Sequence, residues 1–68
     1  MEKEKVYFDS KGPSGNIYDI IGKAGIVLRK QHRQTDFNTM RDRVFQSHSY
    51  QEALEVIREY VDLIDIAK

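Results

Sequence analysis

A chain of 68 residues has room for one hydrophobic core and no second domain. It contains no cysteine, which excludes disulfides and thiolate metal sites, and its two histidines, His32 and His48, are far apart in sequence. Eleven basic and eleven acidic side chains cancel, and no apolar run approaches the ~18 residues of a membrane span.

A domain of this size buries only about 60% of the surface its unfolded chain exposes. Without disulfides or a metal, association with further copies is the most available extra support. Met1-Glu2-Lys3-Glu4-Lys5 is charged and leads into no apolar h-region, so it does not read as a secretory signal. The expected location is cytoplasmic. The charges are unevenly ordered. Residues 22–43 hold six cations against two carboxylates, a net of +4, and residues 49–68 hold two against five, a net of −3. That polarity reads as two solvated helix faces of opposite sign, and it also suits self-association or an acidic partner.

Lys5-Val6-Tyr7-Phe8 combines β-branched and aromatic residues between charged neighbours and predicts a short first strand. Gly12-Pro13-Ser14-Gly15 then breaks the chain. Pro13 fixes its own φ and pushes Gly12 toward extended geometry, and Gly15 is free to take positive φ. Asn16 or Ser14 is the expected N-cap of a first helix. With Asn16 as cap, Asp19 falls at the third helical position, where it favours the positive end of the dipole. Ile17, Ile20, Ile21, Ala24, Val27 and Leu28 mark one face of that helix, which should run to about Lys30 or Gln31. Tyr18, Gly22, Gly25 and Arg29 are spaced to share a flank beside this stripe. Two glycines there predict close packing against the third helix or another subunit, or a groove for a flat ligand.

Gln31 to Gln34 reads as a connection, with Thr35 or Asp36 capping a second helix that turns Phe37, Met40, Val44 and Phe45 inward. Ser47-His48-Ser49 ends it. Ser49-Tyr50-Gln51-Glu52 matches the capping box, so the third helix has the best-defined start in the chain. Tyr50, Ala53, Leu54, Ile57 and Val61 follow at helical spacing. The last segment carries both a helical stripe and a strand-like composition. A closing strand over about Val61 to Ile66 is favoured, because the first strand would otherwise leave its backbone groups unpaired. The expected fold is therefore a single α+β domain over residues 1–68: an N-terminal strand, three helices and a C-terminal strand paired with the first.

The glycine-rich loop opening on a helix N-terminus makes Lys11, Ser14, Gly15 and Asn16 candidates for a phosphate-bearing ligand, with Tyr18, Lys23 and Arg29 nearby. It matches neither G-x-x-x-x-G-K-[ST] nor G-x-G-x-x-G, and Asp19 competes with an anion for the same N–H groups. No catalytic constellation stands out. Ser14 has no histidine close in sequence, both histidines lie in polar surroundings, and Glu55 and Glu59 read as an exposed helix face. The second and third helices suggest a helix-turn-helix, but the third is acidic and would repel DNA.

Gly12-Pro13-Ser14-Gly15-Asn16, followed by Ile17-Tyr18-Asp19-Ile20-Ile21-Gly22, resembles short phage and prophage proteins that carry G-P-x-G-N, an apolar or aromatic pair and a glycine. Ser49-Tyr50 and the apolar-acidic tail from Tyr60 resemble their ending. Ser47-His48-Ser49-Tyr50 departs from them where a glycine is usual. The resemblance implies a phage-encoded accessory factor, oligomeric and binding a host protein or sequestering a small signalling molecule. The residues together point to a non-enzymatic binding module acting as a homo-oligomer, without cofactor or metal. A nucleotide-type ligand at Gly12–Asn16 is the alternative, and weak nucleic-acid binding through the central cations the third reading.

Overall fold

The computed structural model describes residues 3–67; the side chain of Ser14, one of the candidate ligand residues, lies outside the described residues. The architecture is the α+β fold expected from the sequence. Strand β1 (Lys5–Phe8) is followed by one turn of 3-10 helix over Pro13–Gly15, then helices α1 (Ile17–Lys30), α2 (Gln34–Phe45) and α3 (Tyr50–Arg58), and strand β2 (Asp62–Asp65). The two strands pair in parallel, with Lys5 beside Asp62, Val6 beside Leu63, Tyr7 beside Ile64 and Phe8 beside Asp65. A parallel pair needs a long crossover, and here all three helices supply it.

Alternation along the strands puts Val6, Phe8 and Leu63 into the core. There they meet Ile20, Ala24 and Leu28 of α1, Met40 and Val44 of α2, and Ala53, Leu54 and Ile57 of α3. Val61, just beyond α3, is fully buried. At the far end of the sheet the Asp65 carboxylate accepts from the Ser10 hydroxyl at 2.7 Å and from its backbone N–H at 3.2 Å. This bond holds the Asp65 carboxyl below its ordinary 3.8, chiefly through the Ser10 hydroxyl. On the α2–α3 side, Arg43 donates to both carboxylate oxygens of Glu59 at 2.9 and 2.7 Å and to the Tyr60 hydroxyl. Those bonds lower the Glu59 carboxyl and raise the Arg43 guanidinium.

Two helix starts follow the sequence closely. Asn16 caps α1, its Oδ1 accepting from the Tyr18 N–H at 2.9 Å, and Ser49 caps α3, its hydroxyl accepting from the Glu52 N–H at 3.1 Å. The second helix differs. It starts at Gln34, not after a cap at Thr35 or Asp36, and the residue in the cap position, Arg33, makes no side-chain cap bond. The reason lies in how α1 ends. Arg33 N–H donates to the Leu28 carbonyl and His32 N–H to the Arg29 carbonyl, the paired bonds of a Schellman motif. His32 occupies the left-handed position at φ 59° that glycine usually takes. The reversal is so tight that Arg33 is already delivered to α2, where its guanidinium pairs with Asp36 at 2.8 Å.

Candidate binding site

The loop from Asp9 to Asn16 is built from its own hydrogen bonds. Gly12 N–H donates to the Asp9 carbonyl, Gly15 N–H to the Gly12 carbonyl, Asn16 N–H to the Pro13 carbonyl and Lys11 N–H to the Asp9 carboxylate. Gly12 is extended, as the following proline requires. Gly15 does not take positive φ; among the described residues no glycine does. Its requirement is space: a Cβ there would lie 2.8 Å from Ser10 Cα and closer still to the Asp9 carbonyl oxygen. The segment folds back on itself so tightly that only glycine fits.

This changes the standing of the loop as an anion cradle. Such a cradle needs several unspent N–H groups aimed at one point. Here the donors of Lys11, Gly12, Gly15, Asn16 and Tyr18 are engaged within the protein, and the Asn16 side chain is committed to capping.

The flank of α1 is also divided. A Cβ on Gly25 would meet the Phe37 ring, 2.7 Å from Cε1, so the close packing there is against α2 and not α3. Arg29 donates from Nε to the Gly25 carbonyl at 3.2 Å and stands over Phe37, with Arg41 also over that ring, both guanidinium carbons 5.8 Å from its centroid. Arg29 is thereby tied to α2 and does not join the loop residues. Among the described residues nothing packs against Gly22, where a Cβ would meet no heavy atom within 4 Å. Phe37 fills one half of this flank and the other half is open surface.

An open concavity lies one turn away, where the start of α1 meets the α2–α3 turn. It has a volume of about 390 Å³, with walls from Ile17 and Tyr18 of α1, Phe45 of α2 and Tyr50 and Ala53 of α3, and Ser47, His48 and Ser49 along its edge. Tyr18 is 69% exposed and Phe45 59%, and their ring centroids stand 6.4 Å apart at 51°. Tyr50 anchors the site to the loop, its hydroxyl donating to the Gly15 carbonyl. Burial, and to a lesser degree the Asp65 carboxylate, raises the Tyr50 hydroxyl above its ordinary 10.0. The loop thus positions one wall of the pocket without lining it.

Of the candidate ligand and interface residues named from the sequence, only Tyr18 lines this pocket. Ile17, Phe45, His48 and Tyr50 were not among them. Phe45 was expected to face inward, but Val44 takes the core position and turns its neighbour out. The available signal was that Phe45 and Val44 are adjacent, so one helix cannot bury both on a narrow stripe.

Comparison with protein-family models, with curated proteins and with solved structures finds no match to this chain. Among the described residues no group of three or more histidine and carboxylate side chains could hold a metal ion. No helix of the described residues is long and apolar enough to cross a membrane.

Proposed function

We propose that this protein is a non-enzymatic binding module, working as a homo-oligomer, that receives an apolar or aromatic side chain of a protein partner in the Tyr18–Phe45–Tyr50 pocket. One observation carries the reading: two aromatic rings, Tyr18 and Phe45, stand largely in water at the mouth of a concavity with an apolar wall. Aromatic surface of this kind is unfavourable to leave wet and is the usual anchor of a recognition site. The serine and histidine edge supplies the polar rim that accompanies such anchors. Among the described residues no polar or charged side chain is buried. The resemblance of the Gly12–Gly22 stretch to short phage proteins fits an accessory role of this sort.

The test is an amide-resolved NMR titration of the full chain with short peptides bearing leucine, phenylalanine or tryptophan, run beside a panel of nucleotides. Saturable shifts at Ile17, Tyr18, Phe45 and Tyr50, lost in Phe45→Ser, are the expected result. Shifts confined to Gly12–Asn16 on nucleotide addition would replace this reading with a phosphate-ligand site. Silence across every peptide would remove it.

A further inference from the structure

The two strands are parallel, and parallel sheets are ordinarily covered on both faces. Here the helices cover one face only. On the other stand Lys5 and Tyr7 from β1 and Asp62 and Ile64 from β2, with Ile66 continuing the row through a backbone bond to the Phe8 carbonyl. Tyr7 is 53% exposed and Ile66 56%. A face with a tyrosine and two isoleucines is apolar where an uncovered sheet face should be polar.

We infer that a second copy of this chain covers this face, sheet against sheet, about a two-fold axis running along the strands. This second copy rests on the homo-oligomer reading above and gives it a surface distinct from the aromatic pocket. The register chooses both occupant and axis. Lys5 and Asp62 lie side by side at one height, and Tyr7 and Ile64 side by side at the next. A two-fold axis along the strands exchanges the columns without changing height, so each Lys5 faces Asp62 of the second copy and each Tyr7 faces Ile64 of the second copy. An axis across the strands would instead set Asp62 over Ile66 and break both Lys5–Asp62 contacts. Among the described residues neither Lys5 nor Asp62 closes an ion pair within its own chain, which leaves both charges for the contact. Association along the outer edge of β1 is disfavoured, because the Lys23 ammonium donates to the Tyr7 carbonyl there at 3.3 Å.

Two strands of four residues present a face of only about 13 by 10 Å. That is well below the ~800 Å² per partner of a standard interface, so the dimer belongs to the weak, concentration-dependent class.

Sedimentation of the full chain from roughly 10 μM to roughly 1 mM detects a dimer with a dissociation constant up to about 1 mM, roughly −4 kcal/mol of association. The expected mass rises from one 8.0 kDa chain toward two. Over the same range NMR shifts should concentrate at Tyr7, Ile64 and Ile66. Lys5→Asp should weaken association about tenfold by setting like charges opposite each other, and Lys5→Asp with Asp62→Lys should restore it. Ile66→Lys, outside the buried core, should abolish it with the fold intact, and it decides the matter if Lys5→Asp unfolds. A monomer at the highest concentration overturns the proposal. So does a dimer indifferent to Ile66→Lys, a double variant that fails to restore association, or shifts that map to Tyr18 and Phe45. That last outcome would make the aromatic pocket the self-association site and leave the sheet face without a second copy.

Discussion

The Gly12–Asn16 loop and the Ser47–Ser49 turn flank the same end of α1 and teach opposite lessons. The loop has the composition of a ligand site, with glycines, a proline and a serine, Lys11 before it and a helix start behind it. Yet its donors turn inward, onto Asp9, Gly12 and Pro13. The turn has no glycine and an unremarkable polar sequence, yet Tyr18, Phe45 and Tyr50 gather beside it around open space. A binding site needs interaction capacity left unspent after folding. The loop has used its capacity on itself; the turn has apolar surface still in water.

The sharpest way to break that contrast is Gly15→Ala. If the loop is structural, one methyl group forced against the backbone of Asp9 and Ser10 should cost about 3 kcal/mol, because backbone cannot move aside as a side chain can. Chemical denaturation measures it. A loss below about 0.5 kcal/mol, the ordinary range for a surface substitution, would mean that the loop yields easily. Its tight closure would then be no obstacle to a ligand.

Gly22→Ala is the opposite case. This glycine lies within α1 with nothing near its missing side chain, so alanine should stabilise the helix by about 1 kcal/mol. Destabilisation would instead reveal that something presses on this flank in solution. Tyr50→Phe probes the link between loop and turn. It keeps the pocket wall and deletes only the bond to the Gly15 carbonyl. The expected loss is about 1 kcal/mol, with the melting transition lowered and the Tyr18 and Phe45 environment retained.

Much of this organisation was legible in the sequence because it is local. Asn16 and Ser49 cap helices through atoms two or three residues away, and such patterns are written in consecutive letters. The closing strand was legible for a different reason: β1 needed a partner, and only the tail had the composition to supply one. The parallel sense of that pairing, the Phe37 ring filling the space beside Gly25 and the left-handed His32 are products of tertiary closure. Phe45 shows the limit most clearly. Helical periodicity finds the apolar stripe but cannot decide between two adjacent apolar residues at its border, and the pocket depends on that choice.

Acid separates the two regions by another route. The loop is tied to β2 through Asp65, whose carboxyl is held below its ordinary value by the Ser10 hydroxyl. A carboxyl with a depressed folded pKa contributes stability that is complete above its unfolded pKa and is lost as pH falls through the folded one. The melting temperature should therefore hold steady from neutral pH down to about 4 and fall below it. Glu59, lowered by Arg43 from a higher ordinary value of 4.5, extends the start of that fall to slightly higher pH. In Asp65→Asn the fall should be shallower and the neutral-pH stability lower. An unchanged acid profile would mean that the Ser10–Asp65 bond does not persist in solution.

The smallest effect on stability belongs to the residue most exposed to a partner in the second helix, and that makes it the most informative. Phe45 is 59% exposed and meets Tyr18 at the mouth of the pocket, while Val44 beside it carries the core contact. Phe45→Ser therefore removes apolar surface that folding leaves mostly in water, and the change in unfolding free energy should stay within about 0.5 kcal/mol. Peptide binding should vanish all the same, because the ring is half of the aromatic pair that a guest side chain would cover. Met40→Ala, at a fully buried α2 position that does not line the pocket, is the companion substitution: it should cost about 3 kcal/mol through the cavity it leaves, yet spare binding wherever enough folded protein remains. A Phe45→Ser variant that unfolds would show the ring to be part of the core after all. One that folds and still binds would move recognition away from this turn.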